Sequence, residues 1–298
     1  MVRVMDCWNS SSELRMHVIE SLKNLELSPS KRRGQNFLVN LKTILFQVDQ
    51  ADINTKDIVL EIGGGMGNLS RCLAEKAKKL YVVETDKCLV KFLNDFMGSF
   101  SNVEVLHGDA VKIELPKFTK CVSNLPYQIS SPITFRLLET NFDLAVLMYQ
   151  KEFADRFFAK PNTKDYSRLT VMINLKANCK YLKTVKPNSF YPPPKVHSSI
   201  VAIEKKEKYE LKDSKEFKHY VTLLFNHKKK TVRTVILNLF KAKVKQNIQI
   251  NRKNIDSLPL LERRIFSLTL DELMQFYTEL KEYVGEDVWS DIIFPSMK

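Results

Sequence analysis

Between residues 40 and 203 the chain alternates apolar runs of strand length with amphipathic runs of helix length. IVLEIG (58–63), KLYVVET (79–85), VEVLHGD (103–109), KCVSN (120–124) and DLAVLMYQ (143–150) read as strands. LSRCLAEKA (69–77) and CLVKFLNDF (88–96) carry helical spacing between them. Strands joined through helices re-enter a sheet in the same direction, so this alternation predicts a mostly parallel sheet with helices on both faces. The expectation is an α/β, Rossmann-like fold. Ligands of such sheets bind beyond the carboxyl ends of the strands. Gly63, Glu84, Asp109 and Asn124 all stand at such ends, so four strands point chemistry at one rim.

The pattern changes after VHSSIVAIEKKEKYEL (196–211). FKHYVTLLF, TVRTVILNLF and LTLDELMQFYTELKEYV have helical periodicity, with no further convincing strand. This predicts a main domain over 31–204 and a smaller helical domain over 205–298. Residues 1–30 hold an N-terminal helix and a basic linker. That helix is spaced at Leu14, Val18, Leu22 and Leu25, with Ser11 or Ser12 as its N-cap. The tail GEDVWSDIIFPSMK gives no clear signal.

The net charge of +13 is unevenly placed: Phe217 to Ile255 contains ten Lys or Arg and no Asp or Glu. A basic run can be only a solvated face, but so long a stretch without an acid favours a polyanion, most commonly nucleic acid. The expected RNA contacts are Lys31, Arg32 and Arg33 in SPSKRRG, and Lys228, Lys229, Lys230 and Arg233. Residues 229 and 233, or 230 and 233, would share a helix face. Cysteines at 7, 72, 88, 121 and 179 form no CxxC pair and are odd in number, which argues against a disulfide framework and a zinc ribbon. Scattered histidines add no metal-ligand spacing. Reduced thiols and no metal are expected. The N-terminus lacks the apolar core of a signal peptide, and no apolar run approaches the ~18 residues of a membrane span. A cytoplasmic location without membrane attachment follows as an expectation.

EIGGGMGN places glycines at 63, 64, 65 and 67 between a strand and a helix. A dinucleotide fingerprint needs G-x-G-x-x-G, but Asn68 holds the position of its last glycine. Glu84 follows Gly63 by 21 residues, at the next strand end, where a carboxylate can accept from both ribose hydroxyls. Asp109, one strand later, can accept from an adenine amino group. Each feature alone could be a glycine turn or a capping acid. The ordered set fits a nucleoside cofactor without a pyrophosphate, which points to S-adenosylmethionine over NAD.

Asn124-Leu125-Pro126-Tyr127 ends the fourth strand. Adenine N6 is a poor nucleophile because its lone pair is delocalised into the ring. Two acceptors holding its hydrogens favour the sp3-like nitrogen of a methyl-transfer transition state. The Asn124 side-chain oxygen and a neighbouring carbonyl, most simply that of Leu125, can supply them. Pro126 stiffens the turn, and Tyr127 offers a ring for stacking on a base.

These residues and their neighbours resemble the KsgA-type rRNA adenine N6-dimethyltransferases. The resemblance runs through GQNFL (34–38), VLEIGGGMG (59–67), VVETD (82–86), GDA (108–110), NLPYQISSPI (124–133), MYQKEFADR (148–156) and FYPPPKVHSSIV (190–201). It implies a Rossmann-like S-adenosylmethionine-dependent methyltransferase sheet with a smaller C-terminal helical domain. It implies that Asn36 and Leu38 close over the cofactor and that Gly63 and Gly65 lie beneath it. Glu84 would hold the ribose, and Asp109, with Ala110 beside it, the cofactor adenine. Asn124, Leu125, Pro126 and Tyr127 would grip the target base, with Phe190 on its other face. The implied substrate is a pair of adjacent adenosines near the 3′ end of small-subunit rRNA, in an assembling ribosomal subunit, with the protein acting as a monomer. DLAVLMYQKEFADR is closest to archaeal and eukaryotic members, and Ser167 stands where relatives usually carry glycine. Three readings compete: a large-subunit rRNA adenine methyltransferase, a non-catalytic RNA-binding assembly factor on the same fold, and an NAD oxidoreductase.

Overall fold

The computed structural model describes residues 7–29, 35–206, 208–209, 211, 213–244 and 255–293. Helix α1 (Ser11–Asn24) is capped by Ser10 rather than by Ser11 or Ser12: the Ser10 hydroxyl accepts from Glu13 N–H, and the Glu13 carboxylate accepts from Asn9 N–H. Strand β1 (Phe37–Leu38) and helix α2 (Leu41–Gln50) follow, the helix capped by the Asn40 side chain. The chain then runs through β2 (Ile58–Ile62), α3 (Ser70–Ala74), β3 (Lys79–Glu84), α4 (Lys87–Phe96), β4 (Val103–His107) and β5 (Lys120–Asn124). Next come α5 (Ser130–Leu138), β6 (Leu144–Gln150), α6 (Lys151–Asp155), α7 (Arg168–Lys176), β7 (Ala177–Val185), β8 (Phe190–Tyr191) and β9 (Ser198–Lys205). The rest is helical: α8 (Ser214–Phe225), α9 (Val232–Val244), α10 (Leu270–Val284) and α11 (Glu286–Ile293).

Seven strands form one sheet in the order β4-β3-β2-β5-β6-β9-β7. β2 to β6 pair in parallel, while β9 is antiparallel to β6 and to β7. The chain steps outward from β2 to β4, then returns to the other side of β2 for β5 and β6. The strand order therefore reverses between β2 and β5, the place where open α/β sheets bind ligands. A separate ribbon pairs β1 with β8, setting Phe37 opposite Tyr191 and Leu38 opposite Phe190.

Strand β7 leaves little trace in the residue pattern. It is an edge strand, and its solvent side carries Lys180 and Thr184, which mask its periodicity and guard the free edge. Helix α11 is also new. It buries Trp289, Ile292 and Ile293, an i, i+3, i+4 set too brief to stand out from the tail.

Two compact units emerge from the contacts: residues 1–154 with 177–206, and residues 155–176 with 207–298. The boundary read from the sequence, between 204 and 205, takes no account of the segment 155–176. In the second unit, Glu216 accepts hydrogen bonds from Tyr277, Lys281 and Trp289, which ties α8 to α10 and α11. Among the described residues no helix is long and apolar enough to cross a membrane, and no His/Cys/Asp/Glu group could hold a metal ion.

One expectation is corrected. Cys7 and Cys72, both fully buried, form a disulfide with a Cα–Cα distance of 5.1 Å. Parity and spacing could not reveal a bond across 65 residues; it arises because the segment before α1 packs against α3. Cys88, Cys121 and Cys179 are free.

Candidate active site

The turn after β2 depends on glycine. Gly63 and Gly65 have φ of +81° and +56°, values that favour a residue without a Cβ. A Cβ on Gly63 would also sit 3.1 Å from the Pro126 ring, so the turns after β2 and β5 touch. Asn68, which ends the turn, donates from its side chain to the Leu38 carbonyl at 2.7 Å. It is a strut to β1, built where a dinucleotide turn would have glycine.

Glu84 ends β3 and faces this turn. Its Oε2 accepts from Gly65 N–H at 3.0 Å, and its Oε1 from the N–H groups of Thr85 and Asp86 at 2.8 and 3.0 Å. The Thr85 hydroxyl also donates to Oε1 at 3.4 Å, so Oε1 is filled, while Oε2 has the single Gly65 partner and keeps an acceptor site open. That narrows the expected role from two ribose bonds to one strong bond. Beyond β4, Asp109 Oδ1 accepts from Val111 N–H at 2.9 Å, and its Oδ2 lies 3.5 Å from Lys112 Nζ.

Asn124 stands at the end of β5, and its Oδ1 is buried without a protein hydrogen-bond partner. An orphaned acceptor costs about 1–3 kcal/mol; of the orphaned side-chain atoms among the described residues, Asn124 Oδ1 is the one whose residue lines the cavity that collects these groups. Pro126 holds φ at −57°, and the Tyr127 hydroxyl meets Ser198 Oγ on β9 at 2.7 Å. Burial raises the Tyr127 pKa above the ordinary phenol value, so the ring stays neutral. Glu61, on β2, is buried. Burial, with the nearby Glu84 charge adding to it against Ser70, pushes its carboxyl up to about 8. Glu61 therefore keeps its proton at neutral pH.

A cavity of about 250 Å³ collects these groups. Asn36, Gly63, Gly65, Glu84 and Asp109 line it, as do Asn124, Leu125, Pro126, Tyr127 and Phe190. Two residues expected there lie elsewhere. The Leu38 side chain is in the core, because β1 alternates and presents Phe37 to the cavity instead. Ala110 is buried, with its carbonyl accepting from Arg136 at 2.8 Å. The walls also include Gln35, Thr85, Leu89 and Met148. Of these, Met148 was legible, since it lies near the end of a fifth parallel strand; the others project from turns and a helix start.

The cavity walls offer acceptors on two carboxylates, Glu84 and Asp109, and the orphaned Asn124 Oδ1. Donors such as ribose hydroxyls and an exocyclic amine suit them. The residues present fit a nucleoside sulfonium such as S-adenosylmethionine.

The proposed RNA contacts divide. Lys31, Arg32 and Arg33 lie outside the described residues. Lys228 to Lys230 form a turn before α9 rather than sharing a helix face with Arg233, because α9 starts only at Val232. Lys228 donates to the Lys164 and Tyr166 carbonyls at 2.8 and 2.9 Å. Arg233 is held by Asp256 and Glu262, each at 2.6 Å. Lys229 and Lys230 are exposed. Ser167 has no positive φ and caps its own turn, its N–H donating to Thr170 Oγ1 at 3.1 Å, so glycine is not required there.

Comparison with known proteins gives this geometry a family. A profile described as "Ribosomal RNA adenine dimethylase" matches residues 28–273. A protein of Thermococcus gammatolerans named "Probable ribosomal RNA small subunit methyltransferase A" is 39% identical over 276 residues, covering 90% of this chain and 95% of the relative. The protein of the same name in Pyrococcus furiosus is 40% identical over 269 residues, covering 87% and 95%. The crystal structure of a dimethyladenosine transferase from Plasmodium falciparum superposes with a TM-score of 0.73 at 32% identity, covering 83% of this chain and 98% of that one. That of the 23S rRNA methyltransferase ErmE gives 0.61 at 25% identity, covering 83% and 100%. Likeness of this extent, over both the sheet and the helices that follow it, makes the chain a member of the ribosomal RNA adenine dimethylase family.

Proposed function

We propose that this protein transfers methyl groups from S-adenosylmethionine to N6 of two adjacent adenosines near the 3′ end of small-subunit rRNA, giving N6,N6-dimethyladenosine. The observation that carries this reading is the Asn124 Oδ1 acceptor, buried and unpartnered at the end of β5 beside the glycine turn. The small-subunit names of the archaeal relatives favour this substrate over large-subunit rRNA.

Bound S-adenosylmethionine supplies an electrophilic methyl group on a positively charged sulfur. Glu84 holds the ribose through its remaining acceptor site, and its own geometry is fixed by three backbone N–H groups. Asp109 accepts from the cofactor adenine. Asn124 Oδ1 and the Leu125 carbonyl accept the two N6 hydrogens of the target base, which turns the nitrogen lone pair away from conjugation. Tyr127, anchored by Ser198, and Phe190 bracket the base; Phe190 is 3% exposed and lines the cavity, so it serves core and site together. An amide is too weakly basic to take the N6 proton, which leaves to water. Positioning in line with the sulfonium supplies much of the acceleration.

The exposed Lys229 and Lys230 contact rRNA phosphates, which orient a substrate without reading its sequence. The protein works as a monomer on an assembling small subunit, in the cytoplasm. A labelled methyl group should pass from the cofactor to isolated small ribosomal subunits. Labelling of large subunits instead would assign the protein to the other branch, and labelling of neither would leave it an assembly factor.

A further inference from the structure

Residues 7–25 precede the stretch matched by the family, which begins at residue 28, yet their contacts converge on the glycine turn. His17 on α1 places Nε2 3.0 Å from the Met66 carbonyl oxygen. A carbonyl can only accept, so Nε2 carries the hydrogen and donates it. Met66 sits inside the turn, between Gly65 and Gly67, whose φ values are +56° and +72°. Two residues on, the Asn68 carbonyl accepts from Trp8 Nε1 at 3.0 Å. Val18 and Leu22 pack in one cluster with Phe37, Met66 and Leu89, and Phe37 and Leu89 line the cavity. The His17 ring itself lies 4.8 Å from Trp8 and 4.7 Å from Phe96, measured between centroids. The Cys7–Cys72 disulfide fastens the start of this segment to α3.

Glycine backbones have the largest conformational freedom to lose, and this turn has three with positive φ. Something outside the turn must select its binding shape. His17 on α1 and Trp8 before it do so at Met66 and Asn68, on either side of Gly67. Gly65 N–H, one residue before Met66, is then kept on the Glu84 carboxylate at 3.0 Å.

We propose that His17 is a positioning residue for the cofactor site, holding the Met66 carbonyl so that the glycine turn is preformed. The inference rests on the assignment of the cavity to S-adenosylmethionine. Releasing the turn lowers the fraction of molecules competent to bind, and apparent affinity falls by that fraction. Chemistry in the saturated complex is untouched, because His17 contacts neither Asn124 nor Tyr127 in the cavity wall.

The test is calorimetric titration of the full chain with S-adenosylmethionine, alongside methylation kinetics. The parent must bind first; a parent that does not bind overturns the cavity assignment and this inference with it. His17→Phe keeps an aromatic ring but loses the donor, and should raise the cofactor Kd and KM about tenfold at unchanged kcat. His17→Gln restores an N–H and should recover much of that loss. Val18→Ala removes packing from the same helix and should lower Tm while leaving the cofactor KM closer to the parent value. If His17→Phe does not fold, Trp8→Phe, which removes the parallel donor to Asn68, should weaken cofactor binding in the same manner. A binding parent with unchanged affinity in the folded donor-less variant, or equal KM effects in His17→Phe and Val18→Ala, overturns the proposal.

Discussion

The backbone N–H of Gly65 donates to the Glu84 carboxylate at 3.0 Å, so the turn after β2 and the acid ending β3 form one structural piece. Neither can be altered without disturbing the other. This pairing, more than the glycine spacing, makes the rim a ready receptor.

If Glu84 holds the ribose as proposed, Glu84→Ala removes that acceptor and also frees the Gly65, Thr85 and Asp86 N–H groups. Hydrogen bonds to charged groups contribute about 1.5–3 kcal/mol each, so cofactor affinity should fall roughly 10- to 100-fold. Isothermal titration with S-adenosylmethionine measures it. Unchanged affinity in a folded variant would remove Glu84 from the site.

Burial holds the Glu61 carboxyl up at about 8, against an ordinary value of 4.5. The unfolded chain gives up this proton first. Between those values the folded state therefore binds more protons than the unfolded state, and stability declines as pH rises. The contribution is full below 4.5 and has been lost once the pH passes about 8. Glu61→Gln cannot ionise, so it should flatten this slope and gain on the order of a few kcal/mol over the parent at the alkaline end. Urea unfolding of both proteins across the pH range measures the difference, and parallel stability curves would contradict the account.

Of the four cations in the basic turn region, Arg233 and Lys228 already serve the fold. Replacing Lys229 and Lys230 with Gln should reduce the log–log salt slope of rRNA binding by about 1.5 to 2 units. Cofactor affinity should not change. Arg233→Gln, by contrast, should lower Tm more than it alters the slope. A double variant whose salt dependence overlays that of the parent would leave these lysines as a solvated face.

The sheet was legible because its parallel strands are short, largely apolar runs, and their ends carried Gly63, Glu84, Asp109 and Asn124 in order. Chemistry at strand ends is local in sequence, and those four residues all line the cavity. What escaped was set by tertiary contacts. Leu38 was expected at the site, but the pairing of β1 with β8 turns Phe37 toward the cavity. The bond between Cys7 and Cys72 depends on where α1 packs, which no spacing rule encodes. The charge of Arg233 was visible in the sequence, while its partners Asp256 and Glu262 lie past the acid-free stretch that drew attention to it.

The central claim is that Asn124 Oδ1 accepts from the target N6 amine in the transition state. Small-subunit rRNA, in isolated subunits lacking the modification, should be incubated with S-adenosylmethionine and either the parent or Asn124→Ala, and its 3′-terminal fragment weighed by mass spectrometry. With the parent, the account predicts two adjacent adenosines gaining two methyl groups each. With Asn124→Ala, cofactor affinity should stay near that of the parent while the methylation rate falls about 100- to 1,000-fold, as for loss of one preorganised hydrogen-bonding group. A folded Asn124→Ala protein that methylates that fragment at close to the parent rate would contradict the claim.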